Sequence, residues 1–208
     1  MLRKILVSSA LVMLAVSLAA ARPAAAAPVT GENIYLVGHD VSVIGEASLG
    51  EIGLGYRFNY VPKDSKNMSW SAGVEYGQGM NKSTSGSNQN TTEWDLSSWS
   101  GVLEMNHYYD CCDDAFYCGP TLYYETANLT TKYTGDPDQK YNGINTYGVG
   151  GHFGGAFDIA KNARLFGEMR ELYAMSSYDE TKEGVETKWS AWRFVPSYQA
   201  GLSWTFGK

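Results

Sequence analysis

The chain has 208 residues and a formal net charge of −6 at neutral pH, a length that suits one domain with its own core. An acidic balance has the wrong sign for a nucleic-acid footprint, so no nucleic-acid partner is expected. Beyond the first 26 residues no run of 18 or more apolar residues occurs, which excludes ordinary transmembrane helices.

The N-terminus reads Met1-Leu2-Arg3-Lys4, then an apolar run from Ile5 to about Ala21, then Ala24-Ala25-Ala26. A basic start, an apolar centre and a small-residue cleavage site make residues 1–26 a secretory signal peptide. Pro28 disfavours cleavage directly before it, so the mature domain is expected to span residues 27–208. Loss of Arg3, Lys4 and Arg22 leaves 13 basic against 22 acidic residues, a mature net charge of −9.

Residues 33–43 read as a first strand whose apolar face stays open, because His39 and Asp40 interrupt it. Residues 48–61 alternate cleanly, with Ile52, Leu54, Tyr56, Phe58 and Tyr60 against Glu51, Arg57 and Asn59. That period of two is a strand with one apolar and one polar face. After a turn at residues 62–67, Met68, Trp70, Ala72, Val74 and Tyr76 oppose Ser69, Ser71 and Glu75. Residues 78–92, rich in Ser, Thr, Asn and Gly, read as a long mobile loop.

Residues 94–109 form the next strand, with Trp99, Leu103 and Met105 opposite Glu104 and Asn106. A tight turn at 110–114 leads into 115–131, where Phe116, Cys118, Leu122 and Tyr124 oppose Tyr117, Thr121, Tyr123 and Glu125. Residues 132–142 read as a second long loop. Residues 144–159 place Tyr147, Val149, Phe153 and Phe157 against Thr146, His152 and Asp158, and a short turn at 160–163 follows. Residues 164–178 set Leu165, Met169, Tyr173 and Met175 against Arg164, Glu168 and Arg170. Glu171 falls on the apolar parity, which predicts a bulge or register change beside it.

After a third loop at 179–188, the last stretch alternates over nearly its whole length. Trp192, Phe194, Tyr198, Leu202, Trp204 and Phe206 take one face, and Arg193, Ser197, Gln199 and Thr205 the other.

The connections alternate between short turns near 62, 112 and 161 and long polar segments near 85, 137 and 183. Outer-membrane barrels have short periplasmic turns and longer extracellular loops, with apolar-out, polar-in strands. With 15 Tyr, 6 Trp and 23 Gly, the chain is expected to be all-β: a transmembrane up-and-down antiparallel β-barrel of about eight strands in the bacterial outer membrane. A soluble β-sandwich or lipocalin-like barrel shares the composition.

Over the whole mature chain this pattern resembles the small eight-stranded outer-membrane barrels of the OmpX and OmpA transmembrane-domain kind. Residues 165–173 (LFGEMRELY) and 193–202 (RFVPSYQAGL) also faintly resemble the closing strands of the larger, pore-forming major outer-membrane proteins. Such barrels usually finish on the terminal aromatic itself, whereas Gly207 and Lys208 follow Phe206 here.

Chemistry-bearing residues are few. Cys111, Cys112 and Cys118 flank one turn in an exported chain, so they are disulfide candidates. A bridge from Cys111 or Cys112 to Cys118 would pin that hairpin, while a vicinal bridge would be strained. Adding His107 matches no standard zinc spacing. The glycine-rich run at 148–154 lacks the G-x-G-x-x-G spacing of a phosphate loop. Asp136 and Asp138 open like a calcium loop, but Tyr147 stands where its bidentate Glu is required. No cofactor or metal is expected.

A lipid-modifying outer-membrane enzyme would need a His activated by a carboxylate beside a Ser. Only His39, His107 and His152 are available; no Ser is obviously beside His107, and His152 points into the lumen, where Glu104 or Glu168 could bind it. The inward parity instead collects Arg57, Glu75, Glu104, His152, Glu168 and Arg170 at similar heights, and a ring of eight strands is only wide enough to be filled by side chains. These six are expected to form a charge network that plugs the lumen. The expected protein is therefore non-enzymatic, contacting outer-membrane lipid and lipopolysaccharide with its wall and an extracellular or cell-surface partner through segments 78–92, 132–142 and 179–188. The alternatives are a lipid A-modifying enzyme and a small pore.

Overall fold

In the computed structural model, the described residues are 30–42, 48–65, 67–85, 90–109, 116–133, 139–182 and 184–206. The predicted signal segment, Cys111, Cys112, Asp136 and Asp138 lie outside them. Eight strands follow one another: β1 (Gly31–Ser42), β2 (Ser48–Tyr60), β3 (Met68–Ser85), β4 (Asn90–Tyr108), β5 (Phe116–Tyr133), β6 (Gln139–Ala160), β7 (Ala163–Lys182) and β8 (Val185–Phe206). Each is antiparallel to its neighbours in chain order, and β8 returns to pair with β1, closing the barrel. Closure removes the unpaired edges that an open sheet would expose.

The alternation in the sequence becomes two surfaces of opposite character. Ile52, Leu54, Tyr56, Phe58, Trp99, Leu103, Val149, Phe153, Trp192 and Phe194 are exposed on the outside. Ser71, Glu75, Glu104, Asn106, Thr121, Glu125, Thr146 and Glu168 are buried inside. A polar interior under an apolar exterior is the inverse of a soluble barrel and matches a wall that faces hydrocarbon. The predicted facing holds in strands β2 to β8.

The face that the sequence left open is settled in β1. Ile34 and Leu36 are exposed, while Tyr35 and Val37 are buried with Phe166 in a small apolar cluster at the lumen wall. Both parities of this strand carry apolar side chains because one meets the exterior and the other an internal aromatic contact. The Tyr35 and Phe166 rings sit edge to face with centroids 6.0 Å apart.

The three long polar segments are not structureless. β3 and β4 stay in register from Gln78↔Ser97 out to Ser85↔Asn90. β5 and β6 pair as far as Thr131↔Gln139, and β7 and β8 as far as Lys182↔Val185. Within the expected loops 78–92, 132–142 and 179–188, residues 78–85, 90–92, 132–133, 139–142, 179–182 and 185–188 are thus strand. Hydrophobic periodicity is blind to a ladder that is wet on both faces, and Val185 to Trp192 are all exposed on both parities. Backbone pairing continues there without an apolar side. Beneath these extensions Leu96, Ala127, Leu129 and Ile144 pack together inside the mouth, flanked by Trp94, Tyr141 and Tyr178.

The irregularity expected at Glu171 lies elsewhere. Glu171 pairs regularly with Gly151 on β6 and Pro196 on β8, its side chain simply exposed on the outer face. The β6–β7 register shifts instead between Asn142 and Asn145, where Gly143 has φ of +58°. One kind of bulge takes a left-handed residue, and Gly adopts that conformation without strain. Asn128 Oδ1 receives the freed Gly143 amide at 3.1 Å.

Candidate functional site: the charged lumen

β-Strand parity aims one residue in two at the axis, and four ionised side chains from three strands meet there. Arg170 places Nη2 3.0 Å from Glu104 Oε1 and Nε 2.8 Å from Glu168 Oε1. Arg57 Nη1 lies 3.4 Å from Glu104 Oε2 and 4.0 Å from Glu168 Oε2. Two cations and two carboxylates thus alternate around one cluster. The Arg57 guanidinium also lies over the Tyr35 ring, 5.3 Å from its centroid.

Neutral donors complete the carboxylates. Ser71 Oγ donates to Glu104 Oε2 at 3.2 Å. Tyr117 and Gln199 donate to the two oxygens of Glu168 at 3.0 and 2.6 Å. Buried carboxylates hold their charge only when their lone pairs are filled in this way. Among the described residues, Arg57 Nε and Nη2 and Gln199 Oε1 are the buried side-chain polar atoms without a hydrogen-bond partner.

His152 joins the cluster through Asn106. Its Nε2 is 2.8 Å from Asn106 Oδ1 and its Nδ1 2.7 Å from Thr121 Oγ1. The Asn106 amide nitrogen points at Ser69 and Ser71, 3.3 and 3.4 Å away. Asn106 Oδ1 is therefore an acceptor, so an N–H at His152 Nε2 donates to it, and the Thr121 hydroxyl lies against Nδ1. The Thr121–His152 pair has the contact of a nucleophile and its base, and both residues are buried in the lumen.

Five of the six predicted lumen residues, Arg57, Glu104, His152, Glu168 and Arg170, come together in this network. The sixth is Glu75. It lies with Glu51, Ser98, Tyr123, Glu125 and Arg193 around a cavity of about 20 Å³ that reaches Arg170, and it hydrogen-bonds with Tyr35. That volume holds about one water molecule. Strand tilt staggers the rows, so equal counts from the turns do not give equal heights. Glu51 accepts from Ser98; its side chain lies over the bare Cα of Gly77, as Glu75 does over Gly53.

Tyr117, Gln199, Asn106, Ser71 and Thr121 were not singled out by the sequence, although each falls on the inward parity that found the charges. Cys118 lies on β5 facing outward, its Sγ 2.9 Å from the Tyr109 hydroxyl. His107 pairs with it in register and is exposed. Both other disulfide candidates lie outside the described residues. Among the described residues no group of three His, Cys, Asp or Glu side chains could hold a metal ion.

No protein-family model matches the chain, and no curated protein matches it in sequence. Among solved structures it is similar to a major outer membrane protein from Thermus thermophilus, at 12% identity over 84% of this chain and 99% of that one, with a TM-score of 0.46. It is also similar to Ail, the attachment invasion locus protein of Yersinia pestis, at 13% identity over 86% of this chain and 100% of the other, with a TM-score of 0.37. CarO of Acinetobacter baumannii aligns at 12% identity over 86% and 98% of the two chains, with a TM-score of 0.39. No residue role is carried over from any of them.

Proposed function

We propose that the chain is a non-enzymatic barrel of the bacterial outer membrane, closed to ions by its lumen network, that acts through the hairpins rising above its apolar belt. The observation that carries this reading is the length of the strands. Those of β3 to β8 run 18 to 22 residues, whereas one tilted crossing needs about 9–11. The surplus is built as paired, polar ladder, and such an extension has no use in spanning a bilayer.

The apolar wall meets lipid, and the hairpins stand among the saccharides of lipopolysaccharide, where Ser, Thr and Asn side chains on both faces offer hydrogen bonds to a sugar or to a cell-surface partner. Trimming β3–β4, β5–β6 and β7–β8 back to the belt tests this. The trimmed barrel should still fold, seen as retained heat-modifiable gel mobility, while cell attachment or resistance of the envelope to detergent falls. Unchanged attachment and unchanged detergent resistance in cells carrying the trimmed barrel overturn the reading. An activity on lipid A that is lost on His152→Ala or His107→Ala would replace it with the enzyme.

A further inference from the structure

Across β5 to β8 the outward residues fall into rows set by the register. One row is Pro120, Gly151, Glu171 and Pro196. It is a flat strip of two prolines and a glycine with a single carboxyl group standing on it. On its own strand Glu171 is bracketed by Met169 below and Tyr173 above, and across the β7–β8 ladder those two face Tyr198 and Phe194. All four are exposed.

A carboxyl on a lipid-facing surface is expensive, and it marks a site whose partner should be sought. Among the described residues the Glu171 carboxyl has no hydrogen-bond or ion-pair partner. The contrast is Glu32, also on the outer face, whose carboxyl bonds to Tyr56. Directly above Glu171 the Tyr173 ring lies 5.0 Å from that of Trp192, nearly parallel, and 5.2 Å from that of Phe194. Phe194 is 80% exposed, the most of any large apolar side chain described. A carboxylate beneath a cluster of aromatic faces has the composition of an ammonium site, since both attract a cation and the aromatic faces tolerate its methylene neighbours.

We propose that this strip binds an amphiphile carrying a terminal ammonium group, its charge on Glu171 beneath Tyr173, Trp192 and Phe194, its alkyl chain laid down the wall past Met169 and Tyr198. Charge complementarity selects this occupant. A second copy of the chain is disfavoured, because the outward parity around the strip, within residues 116–124, 147–155, 167–175 and 192–200, carries no Lys or Arg and would set carboxyl against carboxyl. The inference rests on the lipid-facing reading of the wall, which the chain's need for detergent to stay soluble tests by itself.

The test uses the full mature chain in dodecyl maltoside micelles, titrated with dodecylammonium, and follows the methyl resonance of Met169 and the indole resonance of Trp192. Dodecanol and dodecyl sulfate serve as neutral and anionic controls. Saturable shifts are expected with the amine and not with either control. Glu171→Gln, which keeps size and removes charge, should weaken the amine at least tenfold, Phe194→Ala should weaken it about threefold, and Glu32→Gln should leave it unchanged. Equal binding by the parent and Glu171→Gln, or shifts of the same size with dodecanol, would overturn the proposal.

Discussion

Glu104 on β4 and Arg170 on β7 stand 66 residues apart in the chain and meet across the lumen, Arg170 Nη2 3.0 Å and Nε 3.1 Å from Glu104 Oε1. The same guanidinium reaches Glu168, so one side chain bridges two buried carboxylates. An ion pair of this kind adds little net stability because desolvation offsets the attraction. Its removal is another matter.

Arg170→Ala leaves Glu104 and Glu168 short of a cation and should destabilise the barrel by about 3–5 kcal/mol. Lys161→Ala, in the exposed β6–β7 turn, should stay within about 0.5 kcal/mol of the parent. Equilibrium unfolding by guanidinium in lipid vesicles, followed by tryptophan fluorescence, compares the two. Near-equal midpoints would show that the cluster reorganises around water at no cost.

We propose that the same cluster closes the bore. Planar bilayers carrying the unmodified protein should show no large, steady current, and the double variant Arg57→Ala, Arg170→Ala should open a small conductance. Steady conductance in the parent would turn the reading towards a pore.

Glycine supplies a steric test at the seam. A Cβ on Gly201 would collide with the backbone carbonyl of Leu36 on β1, whereas one on Gly167 meets nothing closer than the Gln199 carbonyl at 4.0 Å. Backbone cannot rotate away as a side chain can, so Gly201→Ala should cost about 1–3 kcal/mol. Gly167→Ala should be neutral or slightly stabilising. Unfolding midpoints of the pair read the difference, and the reverse order would place the β1–β8 contact elsewhere.

At the mouth, Leu96 is fully buried against Ala127, Leu129 and Ile144. Leu96→Ala should therefore lose about 2–5 kcal/mol. Native-state hydrogen exchange should show where: amides of Ala127 and Leu129 should exchange faster in the variant, while those of Ser71 and Thr121 deeper in the lumen keep their protection.

Strand count, facing and closure were legible in the sequence because a wall between lipid and a polar core forces a strict period of two. Ile52 to Tyr60 against Glu51 to Asn59 is one clear case. Where that contrast vanishes, legibility vanishes with it. β1 is ambiguous in sequence because Tyr35 and Val37 are apolar yet face inward, and the start of β8 resembles a loop because Val185 to Trp192 are exposed on both parities. The charges of the lumen were legible as a set and not as a geometry. Parity says that Glu75 points inward, but only the stagger of tilted strands decides that it reaches Tyr35. Glu171 is conspicuous in sequence without bending its strand, since an odd residue on the outer parity can simply project.

The seam between the first and last strands carries a consequence for how the molecule comes into being. β1 and β8 pair from Glu32↔Phe206 to Asp40↔Tyr198, and the Thr205 hydroxyl reaches Asn33 from 172 residues away. No shorter segment can satisfy β1 on that side, so its outer row of amides and carbonyls must wait until the whole chain has been synthesised. Contacts of such separation make folding slow. Until β8 reaches β1 the barrel cannot close, and the aromatic residues of the unclosed chain are open to non-native contacts, so that interval, more than the finished barrel, favours aggregation.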